Sequence, residues 1–365
     1  MVSNPAGITQ IDGKRLDLGF AFEVPYESLS NKYNDVKNNY KHFYPIPEIG
    51  YVQKFSRFSI GLGLYGLGGA GVDLMLKSPF FEEIKEARSK IGIAKFTPTV
   101  SYEVSPNLSM GFSLNIHYGT MDLRTPLGPA YIKIKNLSGV GPGFAYGILY
   151  KPNKKISFGF AYTSRSFYGD WQTDKGYLEL SGLLSNKDGG GFRGNYKVKL
   201  IDFQMPQRVG FGIAIRPTDR LLIGFDADWV DWSNSLKKTK LKLYDGDGPD
   251  KVMNLSLKYR DVYIFGIGGE YKVTERFTIR AGYEYVSDLV PDEANFHMFQ
   301  LFSYVHHITF GMGYNFGPFE INFGFYRGFP QEEYTNKTDL PAPELNNTLY
   351  GHREYYYNIM LSFLL

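Results

Sequence analysis

Three short stretches of this 365-residue sequence hold side chains whose types and spacing could do chemistry. Residues 245–250, DGDGPD, gather Asp245, Asp247 and Asp250 as the oxygen ligands of a calcium loop are gathered. The spaced glutamate of a helix–loop–helix calcium site is missing, so a solvated loop is the plainer reading, with calcium left open. Residues 66–71, GLGGAG, match the glycine pattern of a dinucleotide-binding turn. That turn works only between a strand and a helix, and no helical periodicity follows here. His306 and His307 are neighbours, and neighbours in a strand point to opposite faces, so they cannot share one ion. A lipase-like site would need Ser, His and an orienting partner on one face near a rim, and no Ser stands recognisably beside His306. The six His are scattered, and with no Cys the chain has neither a thiolate site nor a disulfide framework. These stretches predict no cofactor, no metal centre and no enzyme.

The elements that carry these residues are strands. In RLLIGFDADWVDW (220–232), alternate side chains face opposite ways. One face carries Leu221, Ile223, Phe225, Ala227 and Trp229; the other carries Leu222, Gly224, Asp226, Asp228 and Val230. The carboxylate pair needs water, while the apolar face needs a second sheet or lipid. The same alternation recurs at Leu16–Val24, Leu108–Ile116, Ile156–Tyr162, Phe277–Tyr285 and Phe319–Phe325. Fourteen strands are predicted, near 14–26, 47–56, 58–66, 92–104, 107–120, 138–151, 155–167, 200–216, 220–233, 258–272, 276–287, 304–315, 318–328 and 353–365. Every second connection is a short turn, such as KPNKK, RPTDR or KVTER, and the others are long. An even strand number with short and long loops sorted to opposite rims is the pattern of an outer-membrane barrel. A sandwich has no reason to sort its loops in this way. The sequence therefore predicts an all-β transmembrane antiparallel barrel of 14 strands, with Asp226 and Asp228 turned to a wet lumen.

Composition agrees. Aromatic residues make up 17% of the chain, with 29 Tyr and 29 Phe, which suits strands and the aromatic girdles of such a barrel. The mean hydropathy of −0.27 suits it too, because half of each strand and all loops meet water. A net charge of +3 gives no reason to expect nucleic acid as a partner. Two loops have character of their own. SPFFEEIKEARSK (78–90) reads as a short helix capped by Ser78, with Pro79 at its first position. YLELSGLLS (177–185) is unusually apolar, so Leu178, Leu180, Leu183 and Leu184 either pack against another loop or meet a greasy ligand.

At this point the sequence resembles the FadL-like transporters of long-chain fatty acids and other hydrophobic compounds. The resemblance rests on NPAG (4–7), KPNKKISFGFAYTSRS (151–166), DFQMPQRVGFGIAIRPTDRLLIGFDADWVDWS (202–233) and YRDVYIFGIGGEYKVTERFTIRAGYEY (259–285), the last followed by VPDE (290–293). It implies a monomeric barrel of the bacterial outer membrane, among lipid and lipopolysaccharide, blocked by an N-terminal hatch. Residues 1–13 would be a hatch remnant and 14–365 the barrel. The implied cargo is a long-chain fatty acid or, alternatively, an aromatic hydrocarbon; a general diffusion porin is the rival outside the family. Cargo would be caught among the outer loops, at Leu180, Leu183 and Leu184, and would pass Asn4, Pro5 and Ala6. It would leave sideways beside a kinked third strand, here marked by Gly61, Gly63, Gly66, Gly68 and Gly69. Arg208 and Arg280 are read mainly as internal ion-pair partners that could also hold a carboxylate. Only three residues precede Asn4 and no leader is evident, so a truncated chain or a misassigned start is expected. Leu365 stands where such barrels commonly end in a ring.

Overall fold

The computed structural model describes residues 3–39, 43–181, 191–255, 258–290, 305–338 and 342–365. A 3-10 helix (Pro5–Gln10) precedes the first strand. The first seven strands are β1 (Lys14–Ser30), β2 (Asp35–Asn39), β3 (Tyr44–Phe55), β4 (Phe58–Leu76), β5 (Lys85–Ser105), β6 (Leu108–Leu127) and β7 (Ala130–Tyr150). Then come β8 (Ile156–Thr163), β9 (Trp171–Leu180), β10 (Arg193–Ile201), β11 (Arg208–Thr218) and β12 (Leu221–Val230). After a one-turn helix α1 (Trp232–Ser235) follow β13 (Lys240–Tyr244), β14 (Lys251–Asn254), β15 (Val262–Lys272) and β16 (Phe277–Val286). The last three are β17 (His306–Asn315), β18 (Phe319–Thr335) and β19 (Thr348–Leu364).

Fourteen of these make a closed antiparallel wall. The order is β1, β3, β4, β5, β6, β7, β8, β11, β12, β15, β16, β17, β18 and β19. β19 returns to β1, with Arg15 opposite Leu364 and Phe20 opposite Ile359, so no edge is left unpaired there. The predicted facing holds: Phe225 is exposed on the outer face beside Ile213 and Ile267, while Asp226 lines an internal cavity. Exposed Leu62, Leu64, Phe112, Leu114, Phe158, Phe211 and Phe310 continue the outer apolar surface around the wall. No described helix is long and apolar enough to cross a membrane.

Three expectations are corrected. Residues 78–90 form no helix. Ser78 and Phe81 close a turn, and Lys85 begins β5, where Lys85 through Lys90 pair with Leu76 through Gly71 of β4. Long-range pairing there overrides local helix propensity, and it turns Ala87 and Ser89 into the interior. The strand expected at 200–216 is two strands, β10 and β11. Pro206 has no N–H to give a ladder and Asp202 sits at φ 56°, so the chain breaks between Ile201 and Arg208. The supposed loops 67–91 and 121–137 are largely strand, because β4 to β7 run well beyond the predicted ends.

Those extensions, with β2, β9, β10, β13 and β14, build a second layer beyond the long-loop rim. Its inward side chains, among them Leu74, Leu123, Ile134, Trp171, Val198, Leu200 and Leu241, pack into one apolar core. Trp171 is fully buried and lies flat on Gly119 and Gly139, where an added Cβ would come within 2.1 and 2.2 Å of its ring.

Candidate lateral passage and lumen

The N-terminal turn lies on a bed of small residues. Asn4 caps the 3-10 helix, its Oδ1 accepting from the Ala6 N–H at 2.9 Å. Its Nδ2 donates to the carbonyls of Ile148 on β7 and Phe160 on β8, at 3.0 and 3.1 Å. Such close approach requires glycine beneath: a Cβ on Gly147 would sit 2.0 Å from Asn4 Oδ1, and one on Gly111 2.5 Å from the Ala6 nitrogen. Further ties run to β3, β5 and β6. Ser101 Oγ donates to the Pro5 carbonyl at 2.7 Å, Thr9 Oγ1 to Ser109 Oγ at 3.0 Å, and Lys54 Nζ to the Thr9 carbonyl at 2.8 Å. Asn4, Pro5 and Ala6 are thus brought together on the inner wall.

Beside them lies a cavity of about 500 Å³, lined by Asn4, Leu67, Lys95, His117, Arg208, Asp226, Asp228 and Glu284. One ion pair in its lining is fully formed. Arg208 donates through Nε and Nη2 to both oxygens of Asp228, at 2.8 and 2.7 Å, in the fork geometry that suits a carboxylate. Arg280 is engaged too, donating from Nε to Glu270 Oε2 at 2.8 Å and from Nη1 to the Asn322 amide oxygen at 2.9 Å. Both arginines therefore hold wall carboxylates.

The wall itself changes beside β4. β3 and β4 pair from Phe55–Phe58 as far as Glu48–Tyr65 and then part. β3 continues to Tyr44 on the β1 side alone, and β4 continues to Leu76 on the β5 side alone. Two features of the sequence cause this. Pro45 and Pro47 have no N–H to donate, and β4 bulges between Gly66 and Gly68, which turns Leu67 into the lumen. The wedge between the strands is a cavity of about 290 Å³, lined by Tyr44, Ile46, Gly66, Gly69, Gly71 and Ile93 among others. Two side chains of β3 close it. Ile46 Cγ2 lies 2.4 Å from where a Gly66 Cβ would stand, and the Tyr44 hydroxyl 2.1 Å from a Gly71 Cβ. The glycines are sockets for these two side chains.

The sequence located this strand but not the position of the break. Gly61 and Gly63 lie in its regular part, opposite Val52 and Gly50, and do not line the wedge; Gly66 and Gly69 do, and Gly68 follows the bulge. Tyr44 and Ile46 were missed, although two prolines in YPIPEIG could have marked them. Leu178 is buried in the outer core and Leu180 packs against it, while Leu183 and Leu184 lie outside the described residues. His306 and His307 do face opposite ways. His306 meets the Tyr283 hydroxyl at 2.6 Å outside, and His307 meets Glu284 at 3.3 Å inside. Asp245 pairs with Lys197, Asp250 with Lys242, and Asp247 accepts from the Asn195 N–H, so each carboxylate of DGDGPD has a partner. No carboxylate and histidine group suited to a metal occurs among the described residues.

At the outer rim, just past the end of β12, Asp231 holds several elements together. Its carboxylate, almost fully buried, accepts from Arg165, from Gln207 Nε2 at 2.8 Å and from Asn234 Nδ2 at 2.6 Å. Burial alone would raise this carboxyl, but the hydrogen bonds from Asn234, Arg165 and Gln207, with the Arg165 charge, hold it below the usual aspartate range.

Comparison with known proteins follows the same outline. The family model described as outer membrane protein transport protein (OMPP1/FadL/TodX) matches residues 1–339. A comparison with curated protein sequences finds no match. Among solved structures, the toluene transporter TodX of Pseudomonas putida superposes with a TM-score of 0.85 at 19% identity, covering 100% of this chain and 93% of that one. The Ralstonia pickettii toluene transporter TbuX gives 0.77 at 19% identity, covering 100% and 93%. A Pseudomonas aeruginosa FadL homologue gives 0.76 at 18% identity, covering 99% and 92%. With a family match over nearly its whole length and a closed fourteen-stranded wall, the chain belongs to the OMPP1/FadL/TodX family of outer-membrane transport proteins and is a transporter of hydrophobic compounds in the bacterial outer membrane.

Proposed function

We propose that the protein carries a compact, uncharged hydrophobe, of the monoaromatic hydrocarbon class, and releases it sideways between β3 and β4. The observation that carries this reading is the wedge: an unpaired strand edge, an apolar cavity beside it and two side chains seated in glycine sockets across it. A cavity of about 150 Å³ suffices for benzene, so about 290 Å³ holds one small ring with room to move. Transport then needs no chemistry. Cargo leaves water for apolar surface, worth about 25 cal/mol per Å² buried, and leaves again for lipid when Tyr44 and Ile46 swing out of Gly71 and Gly66. Residues 3–13 act as a hatch remnant that keeps the lumen from being an open pore, and the transporter works as a monomer.

A long-chain fatty acid is the second reading. It is favoured by Lys95, a buried cation lining the lumen cavity that would meet a carboxylate. Arg208 and Arg280 are spoken for by wall carboxylates, and this weighs toward the uncharged cargo. Uptake of radiolabelled toluene and palmitate into proteoliposomes separates the two. Ile46→Ala and Tyr44→Ala should speed toluene entry severalfold, and Lys95→Met should leave it unchanged. Palmitate entry that exceeds toluene entry and collapses in Lys95→Met would establish the fatty acid instead.

A further inference from the structure

We propose that the outward face of the outer sheet formed by β7, β9, β10, β13 and β14 is a docking surface for the phosphate groups of the outer-leaflet glycolipid, the lipid A moiety of lipopolysaccharide. In β10 and β13 the inward residues Tyr196, Val198, Leu200, Leu241 and Leu243 are buried in the apolar core. The residues between them, Lys197, Lys199, Lys240, Lys242 and Tyr244, must then face out. Register places them side by side: Lys199 is opposite Lys242 on one flank and Gln172 on the other, and Gln172 is opposite Ser138 of β7.

Height decides what this face meets. Val140 on β7 is 56% exposed and belongs to the outer apolar surface. Ser138 is two residues further along, about 7 Å at the usual strand rise. The rung carrying Lys199 and Lys242 therefore stands one short step above the lipid-facing band, where headgroup phosphates lie in an outer membrane. The cations are held in place by rings rather than left to wander. Lys199 and Lys242 each lie 5.4 Å from the Tyr244 centroid, and Lys133 lies 5.1 Å from the Tyr177 centroid. Asp170, Asp245 and Asp250 pair with Lys199, Lys197 and Lys242. Asp174 of β9 also acts on Lys197 and is followed by exposed Lys175, so six lysines (133, 175, 197, 199, 240 and 242) against four aspartates leave the face positive. An ammonium binds phosphate as a point charge and tolerates the loose geometry of a fluid headgroup layer. A positive face at this level complements the doubly phosphorylated diglucosamine of lipid A and has nothing to offer a neutral glycolipid.

The proposal rests on outer-membrane placement and not on the cargo or its exit, so it is tested separately. Purified protein in detergent is titrated with bis-phosphorylated lipid A, its dephosphorylated form and phosphatidylglycerol, with binding read by native mass spectrometry. The triple variant Lys199→Gln, Lys240→Gln, Lys242→Gln should bind lipid A roughly a hundredfold more weakly, at about one lysine's surface attraction each. The matching triple Arg variant should restore binding. Heat-modifiable mobility of the folded barrel and toluene entry should be unchanged in both. Unchanged lipid A binding by the Gln variant overturns the proposal. So does equal binding of the dephosphorylated form, or phosphatidylglycerol binding as tightly as lipid A through the same three lysines.

Discussion

Single residues do unequal work in this barrel, and Asp231 shows how to tell which matter. Its carboxylate is buried and has donors from three segments, so its loss strands Arg165 and Gln207 together. Asp231→Ala should cost about 2–4 kcal/mol in equilibrium unfolding from vesicles, at the lower end of values for breaking buried pairs, because a third of Arg165 is exposed. The pH sign follows from the lowered carboxyl. A group whose folded value lies below its ordinary 3.8 stabilises fully above that value and loses its contribution as pH falls through the lower folded value. Wild type should therefore lose stability below about pH 3.8 more steeply than Asp231→Ala; parallel curves would contradict the assignment. Gly147 makes a similar case through space. Gly147→Val would push Asn4 off the Ile148 and Phe160 carbonyls, so single-channel conductance should rise while the barrel still folds. Neither role was readable from sequence, since an Asp beside a Trp and a Gly in a strand are common.

At the scale of elements, alternation told most of the story. The Leu–Ile–Phe–Ala–Trp face of β12 was legible because a two-residue period admits only two faces, and the carboxylates settle which one is wet. Phe225→Arg should cost about 2–4 kcal/mol of barrel stability near the midplane, and Asp226→Asn much less. Bilayer-confined quenchers should reach a probe at 225 and not one at 226; the reverse would invert the wall. Where the period was a poor guide, the cause was long-range pairing. Acids preceding bases along residues 78–90 promise a helix locally, yet β4 offers Lys85–Lys90 a ladder that the isolated segment does not have. The strands of the outer layer were hidden for a related reason. β9, β10, β13 and β14 are stabilised by a core assembled from six or more separated segments, and no single loop shows it.

The whole molecule is a closed wall with a built-in fault, and the proposed exit for cargo lies in that fault. β1 and β19 close the wall, and within it β3 and β4 part beyond Glu48 and Tyr65. Glycine density marks the strand in the sequence, but the break sits higher than Gly61 and Gly63. Its position depends on where Pro45 and Pro47 of another strand fall in register, and register is a property of the assembled barrel. On the proposed exit route, Ile46 and Gly66 must separate for cargo to leave. The chain has no cysteine, so Ile46→Cys with Gly66→Cys creates a single possible crosslink. The Ile46 Cα lies 3.9 Å from an ideal Gly66 Cβ, within reach of a disulfide. The decisive measurement is toluene entry into proteoliposomes carrying this double variant, oxidised and then reduced. Entry should fall at least tenfold on oxidation and recover on reduction, while binding of toluene by the oxidised protein persists. Undiminished entry through the crosslinked barrel would contradict the lateral exit and send the cargo straight down the lumen, past Asn4.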